Sequence, residues 1–197
     1  MLLEVKNLRI AFRLEGRETV PVRDVSFTVP EHGRVALVGE SGCGKSLTAL
    51  SLGGLVDRAE ISGEIVGKPR IAYIFQNPMQ SLNPVMKVGR QIEEGRNEKR
   101  DGRRRAILEL LESVGLPPET AVKYPCQLSG GQQQRVMIAM ALAQKPDLLI
   151  ADEPTTALDV TTQKEVLELI DRIADERKMS VLLITTISDS SKNIRAS

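Results

Sequence analysis

The sequence predicts an α/β fold, and three observations predict it. Continuous apolar runs occur at Val35–Val38, Ile71–Phe75, Leu148–Ala151 and Val181–Thr185, as in parallel strands covered on both faces. A glycine-rich turn joins the first of these runs to a stretch whose residues suit a helix. A mostly helix-patterned stretch separates the second run from the third.

In chain order, Leu3 to Phe12 and Val22 to Val29 read as an antiparallel pair joined by a polar connection containing Gly16. Val35-Ala36-Leu37-Val38 reads as a buried strand, and Lys45 to Leu55 as the helix after its turn. An inserted helical subdomain is expected over about 84–145, where Ile107, Leu108, Leu110, Leu111 and Val114 mark one apolar face. The neighbouring Arg103-Arg104-Arg105 reads as a solvated helix face.

At 197 residues the chain is long enough to bury a core as one domain with an insertion. Its 27 lysines and arginines against 26 acids give a net charge of +1, so no basic excess points to a nucleic acid. No apolar run reaches the length of a membrane span, and Met1-Leu2-Leu3 leads straight into Glu4, so neither secretion nor membrane insertion is expected. Cys43 and Cys126 lie far apart without CxxC spacing, which argues against a disulfide scaffold or zinc site and for a reducing cytoplasm.

Gly39-Glu40-Ser41-Gly42-Cys43-Gly44-Lys45-Ser46, followed by Leu47, fits GxxxxGK[ST] and stands between strand and helix, where a phosphate-binding loop must stand. Glycines let successive backbone N–H groups turn inward, and the helix N-terminus adds partial positive charge. Lys45 is placed to reach β- and γ-phosphates and the Ser46 hydroxyl to coordinate Mg2+, so the expected ligand is a nucleoside triphosphate with magnesium.

The run Leu148–Ala151 ends in Asp152-Glu153, two carboxylates at the C-terminal edge of a strand, where open α/β sheets bind ligands. One acid can hold magnesium and the next can orient an attacking water. Leu128-Ser129-Gly130-Gly131-Gln132 opens a helical run, and Ser129 with Gln132 fits a capping box. Capping does not explain two glycines in a first turn, since glycine costs about 1 kcal/mol relative to alanine in a helix. Bare N–H groups at that N-terminus suit a phosphate.

These residues resemble the ATP-binding cassette (ABC) family, whose signature is LSGGQ. Gln76, Asp152-Glu153-Pro154 and Ala157-Leu158-Asp159 follow that family's order, and the resemblance covers roughly Val5 to Thr185. It implies a P-loop NTPase fold with an antiparallel β subdomain and the helical insertion. A nucleotide-binding domain over 1–185 and an atypical polar tail over 186–197 follow from it. Two such domains would meet head to tail, as homodimer or heterodimer, with ATP between one phosphate loop and the partner's signature helix. Ser129, Gly130 and Gly131, with Gln132, would then face the partner's γ-phosphate.

By the same resemblance Gln76 would reach magnesium and the attacking water, Asp152 would serve the metal, Glu153 would be the general base and Asp159 would cross the dimer interface. An aromatic side chain should stack on adenine, and Phe12 is the candidate, with a core role as the alternative. The stretch Phe75–Pro84, Tyr124-Pro125 and Met137–Leu142 resemble the branch serving dipeptide, oligopeptide and nickel importers. That branch implies membrane permease subunits as partners, a solute-binding protein acting indirectly, and a position at the cytoplasmic face of the membrane.

The chain departs from the pattern at one position that matters. The family's last strand runs into Thr-His-Asp, whereas here Ile184-Thr185 is followed by Thr186-Ile187, so the histidine expected to contact the γ-phosphate is absent. His32, the only histidine, falls in an expected surface turn. The residues after Thr186 read as a truncation or frame change, and the interval between Lys45 and Gln76 is short for the peptide importers. The expectation is an ATPase whose hydrolysis is in doubt while its binding loop is whole. The alternative is a hydrolysis-impaired ATP-binding module.

Overall fold

Apolar and polar residues alternate from Leu3 onward, which produces β1 (Leu3–Leu14) and β2 (Arg17–Val29), paired antiparallel with Leu3 opposite Val29. Leu3 and Val5 are buried, and so are Leu8 and Ile10, one residue out of step. A register shift between Val5 and Leu8 absorbs the extra residue and keeps all four on the covered face. The computed structural model describes residues 1–14, 17–77, 81–95, 102–156 and 158–186. These residues form two compact units, one of Met1–Pro69 with the described part of Ser180–Ser197, the other of Arg70–Met179.

In the first unit β4 (Glu60–Val66) pairs with the other edge of β1, giving the order β2-β1-β4. The sequence reading placed no strand there, because Gly63 interrupts a short run in which every residue is solvent-exposed. The second sheet element of this unit is the parallel pair β3 (Arg34–Gly39) and β7 (Ser180–Thr186), with Gly39 opposite Thr186. Ser180 Oγ donates to Pro30 O at 2.9 Å, anchoring the start of β7. Helix α1 (Lys45–Leu52) stops three residues before Leu55, because Gly53 and Gly54 end it. β3 also corrects the expectation of strands covered on both faces: Val38 is 55 % exposed, since apolar residues in a run report hydrophobicity and not coverage.

In the second unit β5 (Ile71–Ile74) and β6 (Leu148–Asp152) run parallel, with Ile71 opposite Leu148. Asp147 locks their entry: its carboxylate accepts bonds from Arg70 N at 2.9 Å, Nε at 3.1 Å and Nη2 at 2.8 Å. Helices α2 (Val88–Glu94), α3 (Arg103–Ser113), α4 (Gly130–Ala143) and α5 (Val160–Arg177) belong to the same unit. On and just after α3 the expected face holds, with Ile107, Leu110, Leu111 and Val114 buried and Leu108 half-buried. Arg103 pairs with Glu93 and Arg105 with Glu109, so the basic run is largely spent on ion pairs. The sequence reading left Val160–Arg177 without an element, although Val166, Leu169, Ile170 and Ile173 recur at helical spacing and are buried. Gly16, Ala157 and the tail from Ile187 lie outside the described residues, and among the described residues no helix is long and apolar enough to cross a membrane.

Candidate functional site

The phosphate loop lies wholly in the first unit. It leaves β3 at Gly39 and enters α1 at Lys45, and Gly44, at φ 93°, makes the left-handed turn that starts the helix. A Cβ there would lie 2.8 Å from Pro21 O and 2.9 Å from Val22 Cγ2, so both the conformation and the space call for glycine. Thr48 N closes the first helical turn on Gly44 O at 2.8 Å, and no acid stands in that turn to offset the positive end of the helix.

Lys45 Nζ donates to Gly39 O at 2.9 Å and Glu40 O at 2.7 Å, and lies 3.8 Å from Cys43 Sγ. Its ammonium is therefore held across the concave side of the loop. Ser46 is exposed, while Leu47 is half-buried on the same helix. Gly39 stands beside Thr186 in the β3–β7 register, so the residue in the place of the family's histidine sits level with the loop's first glycine. Phe12 is half-buried on β1, opposite Thr19.

The acids lie in the second unit. Asp152 ends β6, and Glu153 follows it at φ 46°, an uncommon left-handed conformation for a non-glycine residue. Glu153 Oε2 accepts from Gln76 Nε2 at 2.8 Å and from Thr156 Oγ1 at 3.0 Å. Two residues expected to act on one water thus touch directly. The contact from Thr156 was not anticipated, although a hydroxyl three residues beyond a carboxylate across a proline is a recognisable turn pattern. Phe75, Gln76, Asn77, Ser81, Met137, Met140 and Asp152 line a cleft of about 520 Å³ in this unit.

The signature segment is built as a capping box. Ser129 Oγ accepts from Gln132 N at 3.3 Å, and Gln132 Oε1 accepts from Ser129 N at 3.0 Å. Gly131 packs against α5, where a Cβ would come within 2.9 Å of Thr162 Cγ2. Ser129 and Gly130 are exposed, and the first turn of α4 carries no acid. Asp159 caps α5: it accepts from Thr162 N at 3.0 Å and Thr162 Oγ1 at 2.7 Å, and these bonds, the hydroxyl's foremost, hold its carboxyl below the usual carboxylate range.

A family profile described as ABC transporter matches residues 22–156. A Brucella abortus (strain 2308) protein carrying the name of a peptide import ATP-binding protein is 46 % identical over 210 residues, which cover 93 % of this chain and 63 % of that protein. The oligopeptide transport ATP-binding protein of Lactococcus lactis subsp. cremoris is 41 % identical over 215 residues, covering 93 % of this chain and 62 % of it. The chain thus spans less than two thirds of the length of these relatives. Among solved structures, an ATP-binding cassette captured as a dimer after hydrolysis with ADP and Pi superposes with a TM-score of 0.78 at 29 % identity, over 93 % of this chain and 88 % of that one. The protein cbiO1 of Clostridium perfringens, part of the ABC transporter complex cbiONQ, shares the fold alone, at 24 % identity and a TM-score of 0.80, over 94 % of this chain and 78 % of that one. With its phosphate loop between β3 and α1, its antiparallel β2-β1-β4 sheet and its helices α2 to α4, this chain belongs to the ABC transporter family and has that family's P-loop ATPase fold.

Proposed function

We propose that this chain is the ATP-binding, energy-coupling subunit of an importer for peptides. The observation that carries the reading is identity of 41–46 % with peptide-import ATP-binding proteins over 93 % of the chain. A nickel substrate rests only on the branch resemblance of residues 75–84, 124–125 and 137–142, since the relatives are named for peptides and glutathione.

In this reading the backbone of Gly39–Gly44 and the Lys45 ammonium take the β- and γ-phosphates, and Phe12 takes the adenine. Ser46, Gln76 and Asp152 offer hydroxyl, amide and carboxylate oxygens, the hard donor set that magnesium accepts, and the ion would supply charge neutralisation at the phosphates. Glu153 withdraws the proton from the attacking water as that water adds to the γ-phosphorus and the bond to the β–γ bridging oxygen breaks, releasing ADP and phosphate. Ser129, Gly130, Gly131 and Gln132 serve the nucleotide of a second nucleotide-binding subunit, identical or different, with Asp159 crossing that interface. Permease subunits hold the assembly at the cytoplasmic face of the membrane, and a solute-binding protein delivers the peptide.

A direct test is nucleotide binding by the purified chain beside Lys45→Ala. Loss of a charge-assisted contact of about 1.5–3 kcal/mol should raise the Kd for Mg-ATP about ten- to a hundredfold. Equal affinity in the two proteins refutes the assignment of the loop. A second reading is favoured by one observation, Thr186 beside Gly39. There the chain binds ATP without turning it over and its partner supplies hydrolysis, so binding with no phosphate release by the purified chain selects it.

A further inference from the structure

Residues 153–156 close a turn in which Thr156 N donates to Glu153 O at 3.2 Å. Pro154 sets its second position, and Glu153 itself holds φ 46°. The turn brings Thr156 Oγ1 to 3.0 Å from Glu153 Oε2, the oxygen that also accepts from Gln76 Nε2 at 2.8 Å. A glutamate side chain has three rotatable bonds, so a base on such a chain is useful only if something holds it. Here two donors converge on one oxygen, Oε2.

The two donors are not equivalent. Gln76 lies on another segment of the chain and is also assigned to magnesium and water, so its amide must serve several partners. Thr156 is tied to Glu153 by the backbone bond of the same turn, and its hydroxyl has no other assigned task. We propose that Thr156 is a positioning residue for hydrolysis, its hydroxyl fixing the Glu153 carboxylate in the orientation in which it takes the proton from water. This rests on the reading of Glu153 as the general base.

Three proteins decide it: the wild type, Thr156→Val, which keeps the shape and removes the donor, and Thr156→Ser, which keeps the donor. With Mg-ATP and the assembled partner subunits, Thr156→Val should lower kcat about ten- to a hundredfold, the range for a residue supporting a reacting group. KM for ATP should stay within about twofold, because binding does not pass through Glu153. Thr156→Ser should restore kcat. A parallel measurement needs no turnover: the 13C resonance of the Glu153 carboxylate, assigned by its loss in Glu153→Gln, should move in Thr156→Val and stay in place in Thr156→Ser. Unchanged kcat and an unmoved resonance in Thr156→Val overturn the proposal, as does a Thr156→Ser protein as impaired as Thr156→Val. If the wild type releases no phosphate, the hydrolysis reading falls, and the resonance alone decides whether Thr156 holds the carboxylate.

Discussion

At the scale of single residues, the reading proposed above makes Thr186 the position that separates binding from hydrolysis. It ends β7 beside Gly39, level with the start of the phosphate loop, and its short hydroxyl cannot extend as an imidazole does. The residues assigned to phosphate are present in the loop, with Lys45 Nζ donating to Gly39 O and Glu40 O. A lost contact to charge developing in the transition state lowers kcat and spares affinity, because ground-state binding does not use it. Thr186→His is therefore expected to raise the rate of phosphate release by about 10²-fold or more, the size of one well-placed transition-state donor, with the Kd for ATP nearly unchanged. Parallel measurements of release and binding check this, and an equal rate in the two proteins shows that Thr186 does not limit turnover.

At the scale of elements, caps and clamps carry effects that can be measured apart from activity. Replacing Ser129 by alanine removes the acceptor for Gln132 N and should cost about 1 kcal/mol of stability, read as a lower midpoint in urea with an unchanged slope. Acid should act on Asp147 and Asp159. The Arg70 guanidinium, then its backbone N–H, holds the Asp147 carboxyl below its ordinary 3.8, and Thr162 does the same for Asp159. A carboxyl whose folded value is depressed contributes stability that is whole above the unfolded value and lost as pH falls through the folded one. Stability should thus hold down to about pH 4 and fall below it, and Asp147→Asn should flatten that fall in urea titrations made at several pH values. The strands and the capping box were legible because runs such as Leu148–Ala151 and the pair Ser129 and Gln132 state their role locally. β4 was not, since its residues are exposed and it forms only by pairing with β1, a partner about 55 residues distant in sequence. Helix α5 was legible in its 3–4 spacing and went unread beside the stronger motifs before it. The nearness of Gln76 to Glu153 was implied by the family resemblance alone, and nothing in either segment states that the two side chains touch directly.

At the scale of the whole molecule, the question is whether two copies close on ATP. The segment from Ser129 to Gly131 offers an exposed helix N-terminus without an acid in its first turn, which suits a phosphate carried by another subunit. The loop at Gly39–Ser46 belongs to the other compact unit, so on the proposed reading a change at Gly131 should leave its binding of ATP intact. If Glu153 is the base of a head-to-tail pair, as proposed, Glu153→Gln should let the ATP-bound pair persist, since the γ-phosphate between the two surfaces would no longer be cleaved. Sedimentation of Glu153→Gln with Mg-ATP is therefore expected to show a dimer that disappears when ADP replaces ATP. Adding Gly131→Asp to that protein sets a carboxylate against the incoming phosphate and crowds Thr162, where a Cβ already comes within 2.9 Å. Like charges set against each other across an interface disfavour closure by several kcal/mol, so the double variant should stay monomeric while binding ATP as the single variant does. A dimer that survives Gly131→Asp, or forms equally with ADP, places the second surface elsewhere on the chain.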